Sequence, residues 1–288
     1  MKCEKRPLYV DVTLCCGQLF RWDKHGDWWY GVARDKVFKI RQVEDNFEYA
    51  NVEKKFVEHY FSLDQNLEEI MNSINKDPHI DKAIKQYWGL RLIRQDPWEC
   101  LISYICATYK GIPAIKHMLN NIAQKFGKKV TYDSHEFYTF PEPEKLCQAT
   151  EQDFATCGLG YRAKYALATT KKICQENFDL ESLKKTPYIE AKKKLMELPG
   201  VGPKVADCVL LFSLEKTEAF PVDVWVKRVI LNRYMEKLPP ELSKKISTNH
   251  ESISNGDYER LNSFGRNYFG KYAGYAQEYL YHWERMQP

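Results

Sequence analysis

Two side chains in this sequence stand where they could do chemistry together. Lys204 lies in the stretch LPGVGPKVADC at 198–208, and Asp223 follows nineteen residues later in PVDVW. The lysine falls where a helix is expected to begin. A helix N-terminus disfavours positive charge, and burial beside an apolar stripe does the same. Both effects favour the neutral amine, the form that attacks carbon. Asp223 opens another helical run and suits an N-cap, which would hold its carboxylate in one orientation. An oriented anion near an amine fits a reaction that develops positive charge, such as glycosidic cleavage through an oxocarbenium-like state. On these residues alone, a solvent-facing lysine and a purely structural cap stay open.

The elements that must position Lys204 are readable. Ala191, Leu195 and Leu198 recur at helical spacing and predict a helix over 188–198. Pro199-Gly200 ends it, Gly202 permits a positive φ, and Pro203 suits the first turn of the next helix, 203–214. That helix is expected to bury Val205, Cys208, Val209 and Phe212. The pair makes a helix–hairpin–helix over 188–214, with N–H groups from Gly200 to Val205 unsatisfied and turned outward. Such a helix start binds anions, and a DNA phosphate is one. An ordinary turn between packed helices would carry the same features.

Elsewhere, residues 8 to about 50 read as strands. LFRW, DWWYGVA, KVFKIRQV and NFEYANV are rich in β-branched and aromatic residues and are separated by DKHGD, RDK and EDN. The short loops favour antiparallel pairing. From VEKKFVEHYF onward the pattern turns helical and stays so. Asp96, Pro97 and Glu99 form a capping-box start, and a second helix runs from Pro113 to Phe126. Further helices are expected near 144–156, 162–176, 224–236 and 267–285. The fold class is α+β, with an antiparallel β-rich part over 1–92 and an α-helical part over 93–288.

Composition narrows the function classes. The 288 residues are 44% hydrophobic and 28% charged, with a net charge of +4, which permits a local basic face without demanding one. Lysines cluster at 184–185, 192–194 and 244–245. Nine cysteines show no CxxC or zinc-finger spacing, and none follows Cys208. A disulfide scaffold, a structural zinc and a late iron–sulfur loop are not expected. No stretch approaches 18 apolar residues, so a soluble, intracellular protein is expected, without a membrane association.

LPGVGPKVADC followed by PVDVW resembles the helix–hairpin–helix DNA glycosylase superfamily. CGQLFRW at 16–22, GLRLIRQDPWECLISYIC at 89–106, GLGYRAKY at 158–165 and GKYAGYAQEYL at 270–280 are similar, in order, to the 8-oxoguanine DNA glycosylase/AP lyase family. The resemblance implies base excision repair with Lys204 as nucleophile and Asp223 as catalytic carboxylate. The lysine would form a Schiff base, and β-elimination would nick the strand, with no metal or other cofactor. It implies a base pocket of Gly17, Pro221, Cys208, Gln277 and Tyr281. Gly17 O would accept the N7 hydrogen that distinguishes 8-oxoguanine, and Gln277 would read the Watson–Crick edge. Tyr161, Arg162, Gly200, Gly202, Val205, Trp225 and Tyr109 fall at DNA-binding positions. The implied partner is double-stranded DNA containing 8-oxoguanine, bound by a monomer; in a bacterium the location would be cytoplasm or nucleoid.

The match has departures. Tyr109-Lys110-Gly111 stands where relatives carry paired asparagines, Ala114 replaces an arginine, and Trp225 replaces a histidine. These leave the lysine chemistry alone and put recognition of the opposite base in question. Two other readings compete: a different helix–hairpin–helix base glycosylase, and a non-catalytic DNA-binding module. The presence of Lys204 argues against alkyl-base members. The absent C-terminal cysteine cluster argues against adenine and endonuclease III-like members.

Overall fold

The computed structural model describes residues 7–247 and 253–287. A short helix, α1 (Val10–Cys15), precedes four strands: β1 (Trp22–His25), β2 (Trp28–Ala33), β3 (Lys36–Val43) and β4 (Asn46–Ala50). They form an antiparallel meander in chain order, with Trp22 opposite Gly31 and Ile40 opposite Tyr49. Alternation turns Phe38 and Ile40 inward. Gly31 leaves room for the Trp22 indole, since a Cβ there would lie 2.2 Å from it. Trp22 meets Phe38 edge-on at 4.9 Å, and its indole N–H donates to Tyr60 Oη at 3.2 Å. That tyrosine ends α2 (Lys54–Tyr60), which covers the same face.

Helices then take over. α3 (Leu67–Ile74) and α4 (Pro78–Gln86) pack with the helical core rather than with the sheet. α5 (Pro97–Cys106) starts as expected, with Asp96 accepting from the amides of Trp98 and Glu99 at 3.0 Å each. α6 (Ile112–Phe126) ends at Gly127. The expectation of helix throughout fails at 129–138, where KVTYDSHEFY forms an antiparallel hairpin, β5 (Lys129–Tyr132) and β6 (His135–Tyr138). Its residues alternate in the manner of a strand, and it lies against the first sheet, Phe137 stacking on Tyr30 at 6.0 Å.

The helix expected at 144–156 is two short ones, α7 (Pro143–Leu146) and α8 (Glu151–Thr156), because Thr150 and Asp153 build a fresh capping box. α9 (Ala163–Gln175), α10 (Tyr188–Leu195), α11 (Pro203–Phe212), α12 (Val224–Arg233) and α13 (Pro240–Ser247) follow. The run expected at 267–285 is broken at Gly270, whose φ of 75° separates α14 (Asn255–Phe269) from α15 (Ala273–Arg285). The segment LFRW forms no strand before Trp22.

Asp207, buried in α11, ties three helices together. It accepts from Tyr188 Oη at 2.5 Å, Tyr258 Oη at 2.5 Å and Asn262 Nδ2 at 3.0 Å, and pairs with Lys192 at 3.0 Å. Lys192 therefore points inward, away from any basic face that the 192–194 cluster suggested. Among the described residues no helix is long and apolar enough to cross a membrane, and no metal-ligating cluster of three or more residues is found.

Candidate active site

The hairpin forms where expected. Gly200 has φ 78°, and a Cβ there would lie 2.7 Å from Tyr165 Cβ, so both conformation and close approach require glycine. Gly202 differs: it is the extended N-cap of α11, with open space where a Cβ would project. The outward-amide expectation needs one correction, because Val201 N–H is used, donating to Leu198 O at 3.1 Å. The amides of Lys204 and Val205 lie in the first turn, where no intrahelical acceptor precedes them. Val205 itself is buried.

Lys204 is partly exposed, and its Nζ sits 4.9 Å from the centroid of the Tyr104 ring. That ring is fixed on both sides: Tyr104 Oη donates to Gln18 O at 3.0 Å, and its face stacks on Phe212 at 5.6 Å. Asp223 is the N-cap of α12. Its Oδ1 accepts from Trp225 N at 3.0 Å and Val226 N at 2.8 Å. Burial pushes the Asp223 pKa up, while those amides and the Lys204 charge oppose the rise. Cys208, one turn beyond Lys204, is buried, and burial pushes its thiol up to about 12 against the pull of the lysine. It stays protonated at neutral pH.

The N-terminal part and α15 meet beside these residues. Gly17 has φ 110°, and a Cβ there would meet Arg285 Nη1 at 2.9 Å and Tyr281 Oη at 3.2 Å. The next residue anchors this turn: Gln18 Nε2 donates to Arg91 O at 2.8 Å, and Ile93 N donates to Gln18 Oε1 at 2.7 Å. Gln277 is 5% exposed, and its Oε1 has no partner. A buried amide oxygen without a donor carries a desolvation cost that a ligand donor would remove. Tyr281 lies one turn later, its pKa raised by burial and by the nearby Asp223 charge, with Arg285 stacked 5.3 Å from its ring centroid. Pro221 is buried two residues before Asp223. Gly17, Tyr281 and Asp223 thus share one neighbourhood with Lys204 and Cys208, and Gln277 lies one helical turn before Tyr281 on α15.

The other expected residues lie on two loops and at the start of α12. Tyr109 is 83% exposed with φ 53°, on the loop after α5, and Tyr161 is 54% exposed. Arg162 stacks on the Tyr161 ring at 4.3 Å, yet it is buried. Its guanidinium donates to Thr108 O and to Leu159 O, so it faces the protein and not an open strand. This ties the Tyr109 loop to the Tyr161 turn. Trp225 is partly exposed with the Arg228 guanidinium 4.6 Å from its ring centroid, a stacked pair at the start of α12.

Sequence reasoning missed four residues here: Tyr104, Gln18, Arg285 and Glu278, a carboxyl buried on α15 next to Gln277. The first three act through backbone carbonyls or stacking, which leave no spacing signature. Glu278 carried a signal, as a carboxylate inside the apolar run AGYAQEYLY.

The comparisons with known proteins bear on the family and the fold. Residues 1–101 match the family model of the 8-oxoguanine DNA glycosylase N-terminal domain, and residues 105–262 match that of the HhH-GPD superfamily of base excision DNA repair proteins. The N-glycosylase/DNA lyase OGG1 of Arabidopsis thaliana is 31% identical over 98% of this chain and 78% of its own. The N-glycosylase/DNA lyase of Saccharomyces cerevisiae is 32% identical over 96% and 83%. The Clostridium acetobutylicum 8-oxoguanine glycosylase/lyase, solved with double-stranded DNA containing cytosine opposite 8-oxoG, superposes with a TM-score of 0.88 at 33% identity, covering 99% and 97% of the two chains. This chain belongs to the 8-oxoguanine DNA glycosylase family of the HhH-GPD superfamily. Its enzyme class is DNA glycosylase with AP lyase activity.

Proposed function

We propose that this enzyme excises 8-oxoguanine from duplex DNA with Lys204 as nucleophile, and acts on it as a monomer. The Lys204 amine attacks C1′ of the damaged nucleotide, and the glycosidic bond breaks with its electron pair leaving on the base. Asp223, held by the two amides of α12, stabilises the positive charge that develops on the sugar. The amine–C1′ adduct opens to a Schiff base; loss of a C2′ proton then expels the 3′ phosphate by β-elimination. Gly17 O and the unpartnered Gln277 Oε1 receive the base, with Tyr281 and Cys208 as walls. Tyr161 and Tyr109 are exposed on linked turns and suit the filling of the gap left by an extruded nucleotide. Gly200, Gly202, Val205 and Trp225 line the phosphate side.

The observation that carries this reading is the placement of Lys204 at one helix start within the electrostatic reach of Asp223 at another. Borohydride trapping on a duplex containing 8-oxoguanine tests it. The wild type should form a covalent adduct and Lys204→Gln none, while both bind the duplex. Normal base release by the variant would refute the assignment.

A further inference from the structure

Tyr104 has no part in the reaction above, yet its side chain meets both Lys204 and the neighbour of Gly17. It lies on α5 and is 4% exposed. Phe212 of α11 stacks on its ring at 5.6 Å and 12°, and Phe20 meets it edge-on at 5.7 Å. Its hydroxyl donates to Gln18 O at 3.0 Å. The Lys204 Nζ lies over the same ring, 4.9 Å from its centroid.

Each of these contacts restrains the next. The ring face carries the negative part of the aromatic quadrupole and attracts the N–H bonds of Lys204. A long lysine side chain held in this way has lost rotamer freedom, so its amine is placed before a sugar arrives. The Gln18 carbonyl is itself fixed, because Gln95 Nε2 also donates to it at 2.6 Å. The Gln18 side chain donates to Arg91 O at 2.8 Å and accepts from Ile93 N at 2.7 Å. Of the two side chains that donate to the Gln18 carbonyl, Tyr104 is the one that also meets Lys204.

We propose that Tyr104 is a positioning residue for Lys204, its ring seating the amine and its hydroxyl tying that seat to the turn that carries Gly17. The proposal rests on the reading of Lys204 as nucleophile and of Gly17 as an acceptor for the damaged base. Gly17 and Gln18 share a backbone, so a base on Gly17 O sets the place of Gln18 O and, through the hydroxyl, of the ring. Base excision draws on that link. Cleavage of an abasic site, which has no base to seat, draws on the ring alone.

The test compares wild type, Tyr104→Phe and Tyr104→Leu in single turnovers at saturating enzyme. The substrates are a duplex containing 8-oxoguanine and the same duplex with a preformed abasic site, and affinity for each is measured beside the rates. Tyr104→Leu fills the core without a ring, and should slow both reactions about tenfold while the affinities stay within about twofold. Tyr104→Phe returns the ring without the hydroxyl. It should recover abasic-site cleavage to within about threefold of wild type, while the ratio of base excision to abasic-site cleavage stays about fivefold below the wild-type ratio. Abasic-site cleavage at the wild-type rate in Tyr104→Leu overturns the seat. A wild-type ratio in Tyr104→Phe overturns the link, and that variant, one oxygen smaller, decides the proposal even if Tyr104→Leu fails to fold. Equal slowing of both reactions in both variants, as a merely loosened core would give, overturns it too. Abasic-site cleavage that survives in Lys204→Gln would instead remove the nucleophile reading, and this proposal with it.

Discussion

Lys204 lies in the first turn of α11 and Asp223 caps the start of α12, and the lysine charge opposes the rise that burial imposes on the aspartate pKa. Each residue stands at a helix start, but the two starts do opposite things. The α12 amides bind the Asp223 carboxylate at 2.8 and 3.0 Å. The α11 start disfavours a positive charge, and the Lys204 Nζ lies over the face of Tyr104.

Asp223 has two jobs that separate by substitution. Asp223→Asn keeps a side-chain oxygen for the cap and removes the charge, so base excision should fall at least a hundredfold while the melting temperature changes little. Asp223→Ala loses both, and should cost about 1 kcal/mol of stability in addition. Parallel melting curves and single-turnover assays check this; equal activity losses with equal large drops in melting temperature would assign Asp223 to the cap alone.

The two hairpin glycines should respond differently. Gly200→Ala forces a side chain into a left-handed conformation and against Tyr165, costing about 1–2 kcal/mol for the backbone alone. Gly202→Ala meets open space and should leave stability within ~1 kcal/mol. Urea unfolding of the two variants decides between this and a hairpin in which both glycines matter equally.

Glu278 also makes a stability statement. Its folded pKa of about 7 lies above the ordinary 4.5, so the native state holds a proton that the unfolded state has lost between those values. The stability from this group is present in full below about pH 4.5 and is lost as pH rises through about 7. Glu278→Gln should therefore gain on the wild type with rising pH, by ~2–3 kcal/mol between pH 5 and pH 8. Denaturant titrations at the two pH values measure it; a constant difference would mean that Glu278 does not titrate there.

Selection of the base opposite the lesion should be weak. Reading an unpaired cytosine needs donors for its O2 and N3. Tyr109 and Ala114 supply no fork of donors, and the Arg162 guanidinium is bound to the Thr108 and Leu159 carbonyls. Excision rates should differ less than about tenfold among the four opposite bases. A strong preference for cytosine that Arg162→Ala abolishes would show that the guanidinium leaves those carbonyls when DNA binds.

Much of this was legible beforehand, for identifiable reasons. Pro, Gly and capping residues punctuate the chain around Lys204 and Asp223, so both helix starts could be read locally. The hairpin at 129–138 was obscured because its strands are four residues each and lie among helices. The inward turn of Arg162 and Lys192 depends chiefly on the Thr108 carbonyl and the Asp207 carboxylate, which no local pattern encodes.

The central claim is that one amine, that of Lys204, carries the reaction. Borohydride reduction of the wild type on an 8-oxoguanine duplex, followed by nuclease trimming and peptide mass mapping, tests it most directly. The account predicts the residual sugar mass on the peptide containing Lys204 and on no other. A modification on a different lysine, or on none while the base is still released, would contradict it.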